Sequence, residues 1–146
     1  MGETTKDTRS VTTLHAKTAE AFNRRDWDAL RALIAPDATY TEHALGVTAH
    51  GPDQIVDLLS AWSSAFSGAR IEQPTYHEAG DVSVCCFVGR GLQDGALGPF
   101  PPSNNYAEIA FCEVVRFDGG GKIVAGEVYY DQLGMLIRLG HIPAPE

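Results

Sequence analysis

The sequence predicts an α+β domain in which helices come first and an antiparallel meander follows, the helices packing on one face of the sheet. Three observations carry this reading. Apolar residues recur at helical spacing as far as Phe66, and extended, strand-like segments dominate from about residue 69. DGGG at 118–121 is a hairpin signal between two long strands.

Residues 1 to 9 read as a disordered polar tail, and residues 10 to 146 as a single domain. Val11, Leu14, Thr18, Ala21 and Phe22 mark one face of a first helix, which should end near Arg24 and Arg25. Asp26 can cap a second short helix, DWDALRALI, with Trp27, Leu30, Leu33 and Ile34 as its buried side. Ala35-Pro36-Asp37 should stop it, and ATYTEH (38–43) reads as a short strand. Gly51-Pro52-Asp53 opens a third helix carrying Ile55, Leu58, Leu59, Trp62 and Phe66. Residues 69–78, charged on both faces and containing Pro74, suit an edge strand. VSVCCFV (82–88) is apolar on both faces and should be central. Gly91 to Asn104 is a long loop able to cover a cavity, and strands follow at 105–117 and 122–131. Leu133, Leu136, Ile137 and Gly140 then return to helical spacing.

Length and composition narrow the function classes. A chain of 146 residues can bury roughly two thirds of its unfolded surface in one core. A net charge of −8 argues against nucleic acid as a partner, because phosphate binding needs a concentrated basic patch. No window has the apolar length of a membrane helix, and MGETTKDTRS has no signal core, so no membrane partner and a cytoplasmic location are expected. Cys85, Cys86 and Cys112 have neither CxxC spacing nor a paired framework, and are expected to be buried reduced thiols.

The residues able to carry proton chemistry are few. In NYAEIAFCEVVRF the more apolar alternate set places Glu113 on the core face between Phe111 and Val115. Desolvation there should raise its pKa toward the range of a general acid or base. Tyr40 and Glu42 share one face of the ATYTEH strand, while His43 and His50 bracket ALGVTA and could orient a carbonyl oxygen. His15 lies near the apolar side of the first helix, as a core or pocket-wall residue. Asp131 stands just before the last helical stripe, either as an N-cap or as a catalytic acid. Glu127 reads as a solvated or interface charge. No ligand spacing suits a metal and no glycine-rich loop suits a phosphate, so neither metal nor cofactor is expected.

The blocks AFNRRDWDALRALIAPDATY and GGKIVAGEVYYDQLGMLIRLG resemble the SnoaL-like polyketide cyclases, of the nuclear transport factor 2-like superfamily. The resemblance implies a cone-shaped curved antiparallel sheet, with about three helices on one face, around an apolar pocket. It places the family's last-strand catalytic Asp on Val128, its final acid on Asp131, and a pocket histidine on Glu113. Tyr40 and Glu42 resemble the Tyr-x-Asn pair of related epoxide hydrolases, whose Arg-x-Asp partner VCCFVGR does not supply. The expected pocket is lined by Phe22, Trp62, Phe66, Phe87, Phe111 and Val128, with Glu42 and His50 also binding substrate. The resemblance implies acid/base catalysis without a cofactor on a small apolar or aromatic, polyketide-like substrate. Ring closure by intramolecular aldol chemistry is favoured, with Glu113 as acid/base, Tyr40 and His43 polarising the carbonyl, and Asp131 in reserve. A hydroxylase or isomerase, and a non-catalytic binder of the same fold, are the alternatives. A homodimer is expected through an outer sheet face bearing Ile123, Ala125, Glu127 and Tyr129.

Overall fold

The computed structural model describes residues 10–146, so the tail expected over residues 1 to 9 lies outside the described residues. The elements are α1 (Val11–Asn23), α2 (Trp27–Ala32), β1 (Ile34–Glu42), β2 (Val47–His50), α3 (Gly51–Ala65), β3 (Arg70–Ala79), β4 (Val82–Leu92), β5 (Tyr106–Phe117), β6 (Ile123–Tyr130) and α4 (Gln132–Arg138). The strands form one curved sheet in the order β2-β1-β6-β5-β4-β3. Neighbours are antiparallel except β1 and β6, which run parallel. β3 is an edge strand and β4 lies inside the sheet, as their sequences require.

Local chemistry explains the helix starts. Ser10, Asp26 and Asp131 each accept a backbone N–H three residues on, from Thr13, Ala29 and Gly134, which satisfies a donor the helix leaves orphaned. Pro52 stands in the first turn of α3, where a missing N–H costs nothing.

Several boundaries differ from the sequence reading. α2 stops at Ala32, and Ile34 begins β1 instead of closing the helix. Pairing decides this: the Ile123 N–H donates to Leu33 O at 2.8 Å, and Ile34 registers with Ile123. Pro36 is accommodated because the β1–β6 ladder is irregular between Ile34 and Thr39. The stretch between His43 and His50 contains β2, too short for its alternation to show, reached through Gly46 at φ +65°. Four helices form among the described residues, and Phe66 caps α3 from outside it.

The core lies between the inner sheet face and the helices. Leu14, Leu30, Tyr40, Ile55, Val115 and Val128 belong to one buried cluster, and Phe66, Ile109, Met135 and Leu139 to a second. The register shift between Arg116 and Phe117 turns Ile123 inward, where it is buried, so Ile123 leaves the outer face on which it was expected. The three thiols are free, and only Cys85 is buried; alternation along β4 exposes Cys86, and Cys112 is half-buried. No helix among the described residues is long and apolar enough to cross a membrane.

Candidate active site

An inner cavity of about 690 Å³, open mouth included, lies between α1, α3 and the concave sheet face. Phe22, Trp62, Phe66, Phe87, Phe111 and Val128 all line it. Phe87 and Phe111 stack with centroids 5.1 Å apart, and Trp62 meets Phe111 edge-on at 5.6 Å. Gly89 permits this: a Cβ there would come within 2.7 Å of the Phe111 ring. Flat apolar walls of this kind suit a flat apolar ligand.

Glu113 is the acid in that wall. It occupies the inner row of β5, opposite Cys85 of β4 on one side and Val128 of β6 on the other. Its Oε1 is 2.6 Å from His15 Nε2, and its Oε2 accepts from the Tyr40 hydroxyl. His15 Nδ1 lies 2.8 Å from Ser83 Oγ, which completes a chain from Ser83 through His15 and Glu113 to Tyr40. An ionised carboxylate only accepts, so Nε2 carries the proton that meets Oε1.

The pKa of Glu113 moves opposite to the expectation. Burial pushes it up, but the hydrogen bond and electrostatic attraction of His15, joined by the hydrogen bond from Tyr40, outweigh burial and hold it below the usual glutamate value. The sequence reading saw the apolar strand face and not the two donors, which come from elements 98 and 73 residues away. Tyr40 behaves inversely. Burial, then the charge and hydrogen bond of Glu113, raise its pKa well above the ordinary phenol, so it stays a donor. The Cys85 thiol is pushed up to about 12 by burial and by Glu113, and is therefore no nucleophile at neutral pH.

His15 and Ser83 were not among the predicted catalytic residues. Each is almost fully buried, at 1% and 0% exposure, and neither lines the cavity. Ser83 therefore cannot attack a ligand in the cavity, and a hydrolase-type triad is excluded. Only Glu113 and Tyr40 of this chain of groups reach the cavity. His15 had a legible signal: it shares the inner stripe of α1 with Thr18 and Phe22. Ser83 sits two residues before Cys85 on the inner row of β4.

Other predicted residues lie elsewhere. His43 is exposed on the outer face, stacked on Tyr129 at 4.3 Å and 2.7 Å from Glu127, because it follows Glu42 in the alternation of β1. It cannot polarise a carbonyl in the inner cavity. His50 ends β2 as the exposed residue preceding α3, also outside the cavity. Asp131 spends its carboxylate on Gly134 N at 2.9 Å and does not line the inner cavity. Glu42 is buried on the inner face like Tyr40, but it bonds Tyr130 and faces a different cavity.

A curved sheet closed by helices over an apolar cavity, with one paired carboxylate in its wall, defines a small α+β pocket domain. The chain matches the SnoaL-like domain family over residues 16–126 and belongs to that family. No curated protein matches it by sequence. Among solved structures it is similar to AclR of Streptomyces galilaeus, provisionally described as a hydroxylase, with TM-score 0.79, 20% identity and coverage of 93% of this chain and 84% of that one. It is also similar to IdmH of Streptomyces antibioticus, provisionally described as a polyketide cyclase, with TM-score 0.78, 24% identity and coverage of 90% and 99%. A Xanthomonas campestris protein, again provisionally described as a polyketide cyclase, gives 0.80 at 18% identity, covering 89% and 96%. At such identities these likenesses establish the fold alone.

Proposed function

We propose that this protein is an acid/base enzyme that needs no cofactor and closes a ring in a polyketide-like or polycyclic ketone by intramolecular aldol chemistry. The observation that carries the proposal is the Glu113 carboxylate, held ionised in the wall of an aromatic cavity beside a phenol that remains protonated. A substrate carbonyl entering the cavity competes for the Tyr40 hydroxyl and frees Glu113 Oε2. Oε2 then removes the proton alpha to that carbonyl, and Tyr40 donates to the resulting enolate oxygen. The enolate carbon attacks a second carbonyl of the same chain, forming the new C–C bond. Glu113 returns its proton to the alkoxide, and the product is an isomeric β-hydroxy ketone. His15 and Ser83 hold the carboxylate in place throughout, and the cavity walls bring the chain ends together. Stopped after proton transfer, the same groups would serve an isomerase, and an enolate is also where a hydroxylation would begin.

One observation favours a second reading, a non-catalytic binder: both Glu113 oxygens already have donors within the protein, His15 and Tyr40. Incubating the protein with a linear poly-β-ketone ester separates the two. The enzyme gives a cyclic isomer of unchanged mass, and Glu113→Gln abolishes it; the binder retains the ester unchanged.

The proposal includes a homodimer and a cytoplasmic setting, which would keep the thiols reduced. Val84, Val88, Ala110, Val114 and Tyr129 present apolar surface on the outer sheet face, suited to a two-fold contact.

A further inference from the structure

A second cavity, about 1100 Å³ with its open mouth, lies beyond Trp62 and Met135, which belong to the walls of both cavities. Glu42 at the end of β1 lines it, together with Trp62, Phe100 and Tyr130. Glu42 is only 3% exposed. Its Oε1 accepts from the Tyr130 hydroxyl at 2.5 Å, whereas Oε2 has no hydrogen bond among the described residues. A carboxyl so placed normally has a cation or several donors. The lining residues here include no Lys, Arg or His, and the other charged one is Asp57. Burial pushes the Glu42 pKa up, and the Tyr130 hydrogen bond opposes this only in part, as expected for a carboxyl without a counter-charge.

The chemistry of an occupant follows from what the walls lack. Glu42 presents an unused acceptor, Tyr130 has committed its proton to Glu42, and the aromatic rings offer electron-rich faces. An anion would be repelled, and a neutral acceptor would find no free proton on either group. A cation that also brings hydrogen-bond donors satisfies the Glu42 carboxyl and the aromatic faces together. Two carboxyls are too few for a metal, and no group of three or more metal-ligating side chains occurs among the described residues.

We propose that this second cavity binds a ligand bearing a protonated amine beside an apolar or aromatic body, the ammonium seated on Glu42 Oε2 among Trp62, Phe100 and Tyr130. The site is independent of the chemistry assigned to Glu113. Such a ligand could reach along the shared wall at Trp62 toward the inner cavity.

The test uses benzylammonium, with benzyl alcohol as the neutral molecule of similar size, titrated into the full chain and followed by calorimetry and amide shifts. Benzylammonium should bind at least about tenfold more tightly than the alcohol, which corresponds to about 1.4 kcal/mol. Glu42→Gln should remove that difference, and Glu113→Gln should leave it intact, so failure of the cyclase reading does not touch this one. In the unmutated protein the shifts should fall on Leu97, Gly98, Gln132 and Leu136, and not on Ser83 or Gly89. That map and the alcohol comparison decide the matter even if Glu42→Gln does not fold. Equal binding of the two probes, ammonium binding unchanged by Glu42→Gln, shifts confined to the inner cavity, or no saturable binding of benzylammonium would each overturn the proposal.

Discussion

Glu113 on β5 and Val128 on β6 are register partners, facing each other across adjacent strands on the inner face of the sheet. The SnoaL-like resemblance puts the family's last-strand acid at Val128. Glu113 itself carries a carboxylate one strand away from that position, lining the same cavity. Glu113→Gln should lower turnover by about 10²–10⁴-fold in a folded protein, the usual contribution of one proton-transfer group. Val128→Asp should give no large gain. It would bury a second carboxylate opposite the first and should cost at least about 2 kcal/mol in denaturant unfolding.

The ionisation of Glu113 links to stability with a definite sign. Its folded pKa lies below the unfolded value, so its contribution is present above the unfolded pKa and lost as pH falls through the folded one. Stability of the unmutated protein should therefore decline below about pH 5, starting near the ordinary glutamate range. Glu113→Gln should show a smaller decline over the same interval. An NMR titration placing the Glu113 carboxyl at or above the model-peptide value would remove the argument.

Tyr40 is aimed by Gly126, its register partner on β6. A Cβ at Gly126 would lie 2.6 Å from Tyr40 Cδ2, so Gly126→Ala must displace the ring. The substitution should cost about 1–3 kcal/mol and weaken activity along with the Tyr40–Glu113 hydrogen bond. Tyr40→Phe should lose activity while keeping the ring in place. Comparing the two by thermal unfolding and turnover separates ring position from the hydroxyl.

The sequence revealed more of the fold than of the site, for a physical reason. Period-two alternation in NYAEIAFCEVVRF is a local property, and it correctly put Glu113 on the inner face between Phe111 and Val115. Phe22, Trp62 and Phe66 instead follow from the helical spacing of the first and third helices. Partner choice is not local: His15 meets Glu113 across 98 residues, and that contact reverses the direction of the pKa shift. Alternation puts His43 on the outer face, since it immediately follows inward-facing Glu42. Ile123 failed because a single irregularity in the ladder inverts parity beyond it.

Asp131 acts at the start of α4. Asp131→Ala should lower stability by about 1 kcal/mol through loss of the cap to Gly134, and Asp131→Asn should keep turnover. A fully folded Asn variant with activity reduced by orders of magnitude would return Asp131 to the proton chemistry.

The outer sheet face predicts self-association. Sedimentation at micromolar concentration should give a dimer, and Ala110→Arg should give a monomer, because a guanidinium would then stand beside Val88 on the outer face. A monomer for the unmutated protein would contradict the two-fold contact.

The most direct test of Glu113 as the base requires no knowledge of the native substrate. 2-Tetralone is a flat bicyclic ketone with acidic alpha protons, and their exchange in D2O is read by proton NMR. The protein should accelerate that exchange above the buffer rate, and Glu113→Gln should reduce the acceleration by about 10²-fold or more while keeping its fold. Exchange catalysed equally well by Glu113→Gln would contradict the assignment of proton transfer to Glu113.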